Sequence, residues 1–469
     1  MHLPPAFISS LQNISGFDKE AFERVHQSGE KITSIRINPF KRNQQQVTVN
    51  QQRPTTNEKK IPWCQSGSYL SKRPSFTLDP LFHAGAYYVQ EASSMFLEEV
   101  LKQTVDLSQP IKVLDLCAAP GGKSTLIQSL IAAESLLVSN EVIKTRVDIL
   151  SENITKWGAA NVIVTSNDPN NFQRLPNYFD VIVVDAPCSG SGLFRKDPDA
   201  INEWSLQNVQ LCSQRQQRIM ADVLPALKEG GVLIYSTCSY SEEEDEQIAD
   251  WLIEGFKACL PHRQVESLKL EVEGSWGIVQ TQSAQHNAYG YRFYPDKVKG
   301  EGFFIAAFKK LQSATNEKIS VKQKGKSEKL SAREIDTVKR YLKNADDFFF
   351  IKQHEATIAV PLHFENDLAI IQSSLYIKKA GVKLGTIIRN ELIPDHELAI
   401  STIINPGLPV LEADEATALQ YLRKQEIKID TAIRGWALIS HRQLPLGWVK
   451  ILPNRINNYY PKDWRILNK

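Results

Sequence analysis

Cys188 and Cys238 stand in near-identical settings. Cys188 lies in Asp185-Ala186-Pro187-Cys188-Ser189-Gly190, directly after Val181-Ile182-Val183-Val184, and Cys238 lies in Tyr235-Ser236-Thr237-Cys238-Ser239, after Val232-Leu233-Ile234. Short apolar runs rich in β-branched residues, each followed by a turn signal, read as buried parallel strands. A residue just past such a strand lies at the carboxyl edge of the sheet, where open α/β folds bind ligands. Neighbouring strands run about 4.8 Å apart, so both thiols can reach one substrate. Two thiols facing one pocket predict covalent chemistry, because the thiolate is a nucleophile. Against this, a lone cysteine after a strand is most often a small buried hydrophobe. A metal is not expected: the six cysteines (64, 117, 188, 212, 238 and 259) contain no Cys-x-x-Cys pair. Nor do so few cysteines in a long chain make a disulfide framework. Free thiols in a reducing compartment are expected.

A second group of residues points to a cofactor. Asp115-Leu116-Cys117-Ala118-Ala119-Pro120-Gly121-Gly122-Lys123 follows the apolar Val113-Leu114 and precedes a helical pattern through Leu126, Leu130 and Ile131. Small residues and glycines there let the backbone approach a ligand closely. Gly122-Lys123-Ser124 imitates the end of a P-loop, but the first glycine that a P-loop needs is replaced by Cys117. A Gly-x-Gly-x-x-Gly dinucleotide fingerprint is absent too. What remains suits an amino-acid-bearing nucleoside such as S-adenosylmethionine, held by Ala118, Ala119, Pro120, Gly121, Gly122 and Lys123. Glu141, 26 residues after Asp115, is placed to take ribose hydroxyls, and Asp168 to accept a hydrogen bond from the adenine amine. Singly, such acids are more often helix caps or surface carboxylates. Three acids after three successive strands favour the cofactor reading.

The elements that must position these residues alternate. Strand-like Leu136-Leu137-Val138 and Val162-Ile163-Val164 flank a helix around 143–157, and the two cysteine-bearing strands follow. Such alternation predicts a doubly wound parallel sheet. Ser241, with Glu244 three residues on, has the pattern of a capping box. Residues 1–105, with an apparent strand at 34–38, are read as a separate substrate-facing α+β domain, and 106–310 as the catalytic domain. Lysine-rich 311–330 reads as a linker, and 331–469 as a carboxyl-terminal region able to fold apart from the rest.

Composition is that of a globular chain of 469 residues: 42% hydrophobic, 23% charged, net charge +2. No apolar stretch approaches the roughly 18 residues of a membrane span, and the start lacks a signal-peptide layout, so cytoplasmic residence is expected. Charge is unevenly spread. Residues 431–469 hold seven Lys and Arg against Asp463 alone, among Trp436, Trp448, Tyr459, Tyr460 and Trp464. Basic groups with interleaved aromatics suit a nucleic-acid face; the alternative is a solvated basic surface over an aromatic core. Arg36, Arg195 and Lys196 are further candidate phosphate contacts.

Asp115–Lys123, Asp185–Gly190 and Thr237-Cys238-Ser239 resemble the motifs of the RNA (cytosine-5) methyltransferases of the Sun/nucleolar-protein family. The resemblance extends to His83–Ser94, to Gly192–Pro198, and to Arg292-Phe293-Tyr294-Pro295 with Gly302-Phe303-Phe304. It implies a Rossmann-like class I methyltransferase sheet, S-adenosylmethionine as cofactor and RNA as partner. It assigns nucleophilic attack to Cys238, base contact and a place beside the cofactor to Asp185, and assistance of product release to Cys188; the residues alone would allow either thiol to attack. From Gly447 to Lys462 the tail is similar to bacterial small-subunit ribosomal RNA methyltransferases of this family, which carry a carboxyl-terminal PUA-type domain. A monomer acting on 16S ribosomal RNA is therefore expected. A transfer-RNA methyltransferase and a non-catalytic RNA-binding assembly factor are the alternatives; both cysteines being present argues against the latter.

Overall fold

The apolar runs pair into one sheet. In the computed structural model, which describes residues 2–41, 59–259, 265–311 and 328–467, five strands run parallel: β1 (Lys112–Asp115), β2 (Leu136–Asn140), β3 (Val162–Thr165), β4 (Phe179–Asp185) and β5 (Leu227–Thr237). Their order is β3-β2-β1-β4-β5. The order reverses between β1 and β4, and a doubly wound sheet has its ligand crevice at such a switch point. Beyond β5 the sheet continues antiparallel through β6 (Val279–Gln282), β7 (Tyr289–Phe293) and β8 (Phe303–Lys310), in the order β6-β7-β8-β5.

Both faces of the sheet are covered, which is why its strands read as unbroken apolar runs. Val113, Leu137, Val162 and Val181 face α1 (Gly122–Leu130) and α2 (Lys144–Trp157) through Leu126, Ile127, Leu150 and Ile154. Their neighbours Leu114, Val138, Ile163 and Ile182 face the opposite way. They pack on Ile219, Met220 and Val223 of α3 (Leu206–Val223) and on Ile248 and Leu252 of α4 (Glu246–Cys259).

The amino-terminal part contributes a three-stranded antiparallel sheet, Gly67–Leu70, Thr33–Ile37 and Tyr87–Val89. Arg36 on its central strand does not meet phosphate. It is 1% exposed, and its guanidinium donates to Gln90 Oε1 at 2.9 Å and Thr125 Oγ1 at 2.6 Å. A charge buried this deeply must be fully hydrogen-bonded, and Arg36 is so bonded by pegging the small sheet to α1. Arg195 is likewise internal, donating to the Glu30 carbonyl at 2.8 Å with Glu301 3.7 Å away. Lys196 is exposed.

The carboxyl-terminal region holds two further sheets. One is five-stranded, built from Glu328–Lys329, Phe348–Gln353, Ala356–Pro361, Val382–Ile388 and Glu391–Pro394; the other is four-stranded, built from Val410–Glu412, Gly435–His441, Leu444–Leu452 and Arg455–Asn458. The region is not detached. β9 (Ile377–Ala380) pairs antiparallel with β3 and so extends the central sheet. Ahead of it, α5 (Glu365–Ser374) buries Leu368 and Ile371 in the same cluster as Leu136, Val138 and Ile163. The expectation that few contacts cross to this region is not met: an open edge at β3 and an apolar surface beside it are closed from the far end of the chain. Of the expected linker, 312–327 lies outside the described residues.

Candidate active site

Pairing of β4 with β5 places Asp185 opposite Ser236, so the turns after both strands open side by side. Cys188 Sγ lies 3.0 Å from Cys238 Sγ, and both are free thiols. Gly192 lets the two turns close on one another. Its amide donates to the Cys238 carbonyl at 2.8 Å, and a Cβ there would sit 2.5 Å from the Gly302 carbonyl oxygen and 2.7 Å from that of Cys238.

One buried carboxylate ties the turns together. Glu244 accepts from the Ser189 amide at 2.8 Å, the Ser189 hydroxyl at 2.5 Å, the Ser239 hydroxyl at 2.7 Å and the Gln216 amide at 3.2 Å. Burial nonetheless pushes its carboxyl above the usual range. The capping box expected of Ser241 and Glu244 does not form: Ser241 makes no side-chain cap hydrogen bond, because Glu244 is turned inward onto the serines that follow the two cysteines.

Asp185, at the end of β4, pairs with Lys123 Nζ at 2.7 Å and accepts from Ser236 Oγ at 2.8 Å. Lys123 in turn lies over the Phe303 ring, 5.1 Å from its centroid. The lysine of the glycine turn is thus a member of the cysteine site. The Cys188 thiol is pushed well up, first by its hydrogen bond to Cys238, then by burial and by the negative charge of Glu244. Two thiols in contact titrate as a pair, so ionisation of either one disfavours ionisation of the other.

The glycine turn lies at the carboxyl end of β1. Gly121 takes a left-handed φ of 112° and opens α1; a side chain there would strain the backbone. Ala118 donates to the Asn140 carbonyl at 2.8 Å, and Arg146 donates to the Ala119 carbonyl at 2.7 Å. Asp115 beneath is fully buried, accepts from Ser124 Oγ at 2.6 Å and is pushed up to about 7 by burial. Glu141 is buried just past β2, with its Oε1 on the Ile143 amide at 3.0 Å and Arg146 3.4 Å from Oε2. Asp168 is half-buried, caps the turn at Pro169–Arg174 and lies 3.4 Å from Arg218. The structure brings Cys188 and Cys238 into contact, pairs Asp185 with Lys123 at the start of the Cys188 turn, and sets Ala118–Gly122, Glu141 and Asp168 along the same sheet edge. Among the described residues no cluster of three or more His, Cys, Asp or Glu could hold a metal, and no helix is long and apolar enough to cross a membrane.

Sequence reasoning missed the clamp by Glu244 and a second set of contacts formed by buried amides. Asn140 donates to the carbonyls of Leu116 at 3.1 Å and Asn167 at 2.9 Å, and accepts from the Asn167 amide at 3.0 Å. An Asn closing the apolar strand β2 was its only signal in the sequence.

Known proteins match this arrangement along most of the chain. The family described as 16S rRNA methyltransferase RsmB/F matches residues 102–309. The N-terminal domain of 16S rRNA methyltransferase RsmF matches 3–92, and the methyltransferase RsmF PUA domain matches 408–466. A ribosomal RNA small subunit methyltransferase F from Vibrio vulnificus is 28% identical, with 99% of this chain and 98% of that protein covered. Its namesake from Shewanella piezotolerans is 29% identical over 86% of this chain and 84% of its own. Among solved structures, a methyltransferase homolog from Pyrococcus horikoshii is 27% identical with a TM-score of 0.50, covering 66% of this chain and 100% of that one. NSun6 from the same organism shares the fold at 19% identity and a TM-score of 0.54, over 66% of this chain and 99% of its own.

Proposed function

Since the chain belongs to the 16S rRNA methyltransferase RsmB/F family, we propose that it methylates carbon 5 of a cytosine in small-subunit ribosomal RNA through a covalent adduct on Cys238. S-adenosylmethionine is the methyl donor. The observation that carries the adduct is the contact of the two thiols, 3.0 Å apart, beside the Asp185–Lys123 pair.

Carbon 5 of cytosine is too poor a nucleophile to attack a methyl sulfonium directly. When the Cys238 thiolate bonds to carbon 6, the ring becomes an enamine and carbon 5 becomes reactive, so one difficult step is split into easier ones. Negative charge that develops on the ring is met at nitrogen 3 by a proton from the Lys123–Asp185 pair. Carbon 5 can then accept the methyl group that bound S-adenosylmethionine would supply. Once its sulfur is bonded to carbon 6, Cys238 places no negative charge beside Cys188. Cys188 can then give its own proton to solvent and, as the thiolate, take the proton from carbon 5. The electrons of that C–H bond restore the ring double bond and expel the Cys238 thiolate, and nitrogen 3 returns its proton.

The cytosine must leave its stack to enter the crevice, and the flanking amino-terminal and PUA-type domains would hold the surrounding RNA. Ribosomal RNA as substrate implies a cytoplasmic location. Bisulfite mapping of 16S RNA from cells with and without the gene tests the reading, joined to two variants. Cys238→Ala is expected to abolish transfer while cofactor affinity holds; turnover within about tenfold of the parent would overturn the role of Cys238. Cys188→Ala is expected to accumulate a protein–RNA adduct, seen as a slow, protease-sensitive band on a denaturing gel. The band appearing with Cys238→Ala instead would reverse the two thiols.

A further inference from the structure

The methyl-donor crevice has an edge supplied by the far end of the chain. Tyr376 precedes β9 and is held by its main chain. Its amide donates to Asn167 Oδ1 at 2.9 Å, and its carbonyl accepts from Asn167 Nδ2 at 3.0 Å and from the Ser166 amide at 3.2 Å. Asn167 is buried and bonded to Asn140, which reaches the Leu116 carbonyl beside the glycine turn. One line of amides therefore links the carboxyl ends of β1, β2 and β3 to Tyr376. The side chain at the end of this line is 65% exposed.

Strand alternation fixes the side of the sheet on which Tyr376 stands. Ile377 pairs with Thr165 and packs in the cluster on the α3 and α5 face. Tyr376, one residue earlier, points to the other face, the side on which Glu141 leads into α2. β2 and β9 flank β3, so their ends lie about 10 Å apart, two strand spacings. That span fits a nucleoside whose ribose meets Glu141 and whose purine lies across the end of β3. On the Glu141 side the purine would meet Val142 and Ile143, 54% and 48% exposed. On the opposite side it would meet the phenol ring.

We propose that Tyr376 is part of the cofactor site, packing its ring against the adenine of S-adenosylmethionine, so that the carboxyl-terminal region completes the methyl-donor pocket. The proposal rests on the reading of Glu141 as the ribose ligand. A rigid backbone holding an exposed aromatic ring at a ligand edge is a stacking platform, because every base offers a π face.

The test uses the full chain and calorimetric titration with S-adenosylhomocysteine, which binds without turnover. Tyr376→Ala is expected to weaken binding about tenfold, the loss of one stacked base, and Tyr376→Phe, which keeps the ring, to restore it. In turnover assays Tyr376→Ala should raise KM for the cofactor more than it lowers kcat, and leave KM for RNA unmoved. Glu141→Ala separates this proposal from the reading beneath it. If Glu141→Ala weakens binding and Tyr376→Ala does not, the tyrosine is outside the site and the proposal is overturned while the cofactor site stands. If neither variant weakens binding, the cofactor site itself is wrongly placed. Loss of ligand-free thermal stability together with kcat in Tyr376→Ala, or a rise in KM for RNA alone, would assign the residue to packing or to RNA and overturn the proposal as well.

Discussion

Glu244 holds Ser189 at two points, accepting its backbone amide at 2.8 Å and its hydroxyl at 2.5 Å. The same carboxylate accepts from the Ser239 hydroxyl at 2.7 Å, so the residue after each cysteine is tied to one buried group. A clamp of this kind fixes the separation of two thiols without touching either of them.

Removing the clamp should therefore cost rate before it costs cofactor binding. Glu244→Ala takes the acceptor from the Ser189 amide, the Ser189 and Ser239 hydroxyls and the Gln216 amide, and each group left unsatisfied costs about 1–3 kcal/mol in stability. It also frees the two turns to drift apart. Misplacement on the scale of an ångström lowers kcat by about 10²-fold, while affinity for S-adenosylhomocysteine should hold. Glu244→Gln keeps the shape and part of the bonding and should recover much of the rate. Single-turnover kinetics with urea melts read both effects, and an unchanged kcat in Glu244→Ala would show that the turns hold themselves.

The clamp also marks where sequence reading stops. The strands around 113, 137, 163, 182 and 233 were legible because burial on both faces leaves unbroken apolar runs, and the two cysteines were legible because each follows such a run. Glu244 was visible only as a capping pattern with Ser241, since a three-residue spacing says nothing of Ser189, 55 positions away. Tyr376 and Asn167 meet across 209 positions, with no local pattern to announce it. Arg36 reads as a phosphate ligand in sequence because nothing local shows that Thr125 and Gln90 will surround it. Among the tail aromatics, Trp448 and Tyr460 proved to be core, each 1% exposed; alternation along a strand places aromatics inside as readily as at a nucleic-acid face.

Behind Cys238 a buried ion cluster secures the end of β5. Arg292 pairs with Asp245 at 3.1 Å and with Glu246, and donates to the Tyr240 carbonyl at 2.9 Å. Asp245 accepts from the Thr237 hydroxyl at 2.6 Å, one residue before the cysteine. Breaking a buried pair by deleting one partner costs about 3–5 kcal/mol, so Arg292→Leu should lower the urea midpoint by that equivalent. A shift below about 1 kcal/mol, the scale of an exposed pair, would show that water reaches the cluster.

Cutting the chain at residue 331 should not yield a folded catalytic core. It would expose Leu136, Val138 and Ile163 by removing Phe364, Leu368, Ile371 and Leu375, and would unpair β3. Burying each such side chain contributes about 1.5–3 kcal/mol. Four of them approach the whole stability of a typical domain, about 5–15 kcal/mol. Residues 1–330 alone are expected to aggregate or to lack a cooperative thermal transition. A sharp transition with normal S-adenosylhomocysteine binding would show that β9 and α5 are dispensable, and would remove Tyr376 from the cofactor site at the same stroke.

The basic tail is better tested by substitution than by truncation, because its core aromatics must stay in place. Arg434, Arg455, Lys462 and Arg465 are exposed, whereas Lys450 is half-buried over Trp436, 5.1 Å from the ring centroid, with Glu391 3.7 Å away. Changing the four exposed residues to Ala should leave the fold intact, since surface substitutions of this kind usually move stability by less than about 0.5 kcal/mol. If they meet phosphate, each phosphate no longer neutralised lowers the slope of log affinity against log salt by about 0.7–0.9. Removing all four charges would flatten the slope by about 3 and weaken RNA binding most at low salt, with cofactor affinity as the control. Lys450→Ala should change the slope less, because its ammonium already faces Glu391. Unchanged affinity and slope in the fourfold variant would make these charges a solvated surface, and the RNA face would have to be sought at the crevice rim around Lys196.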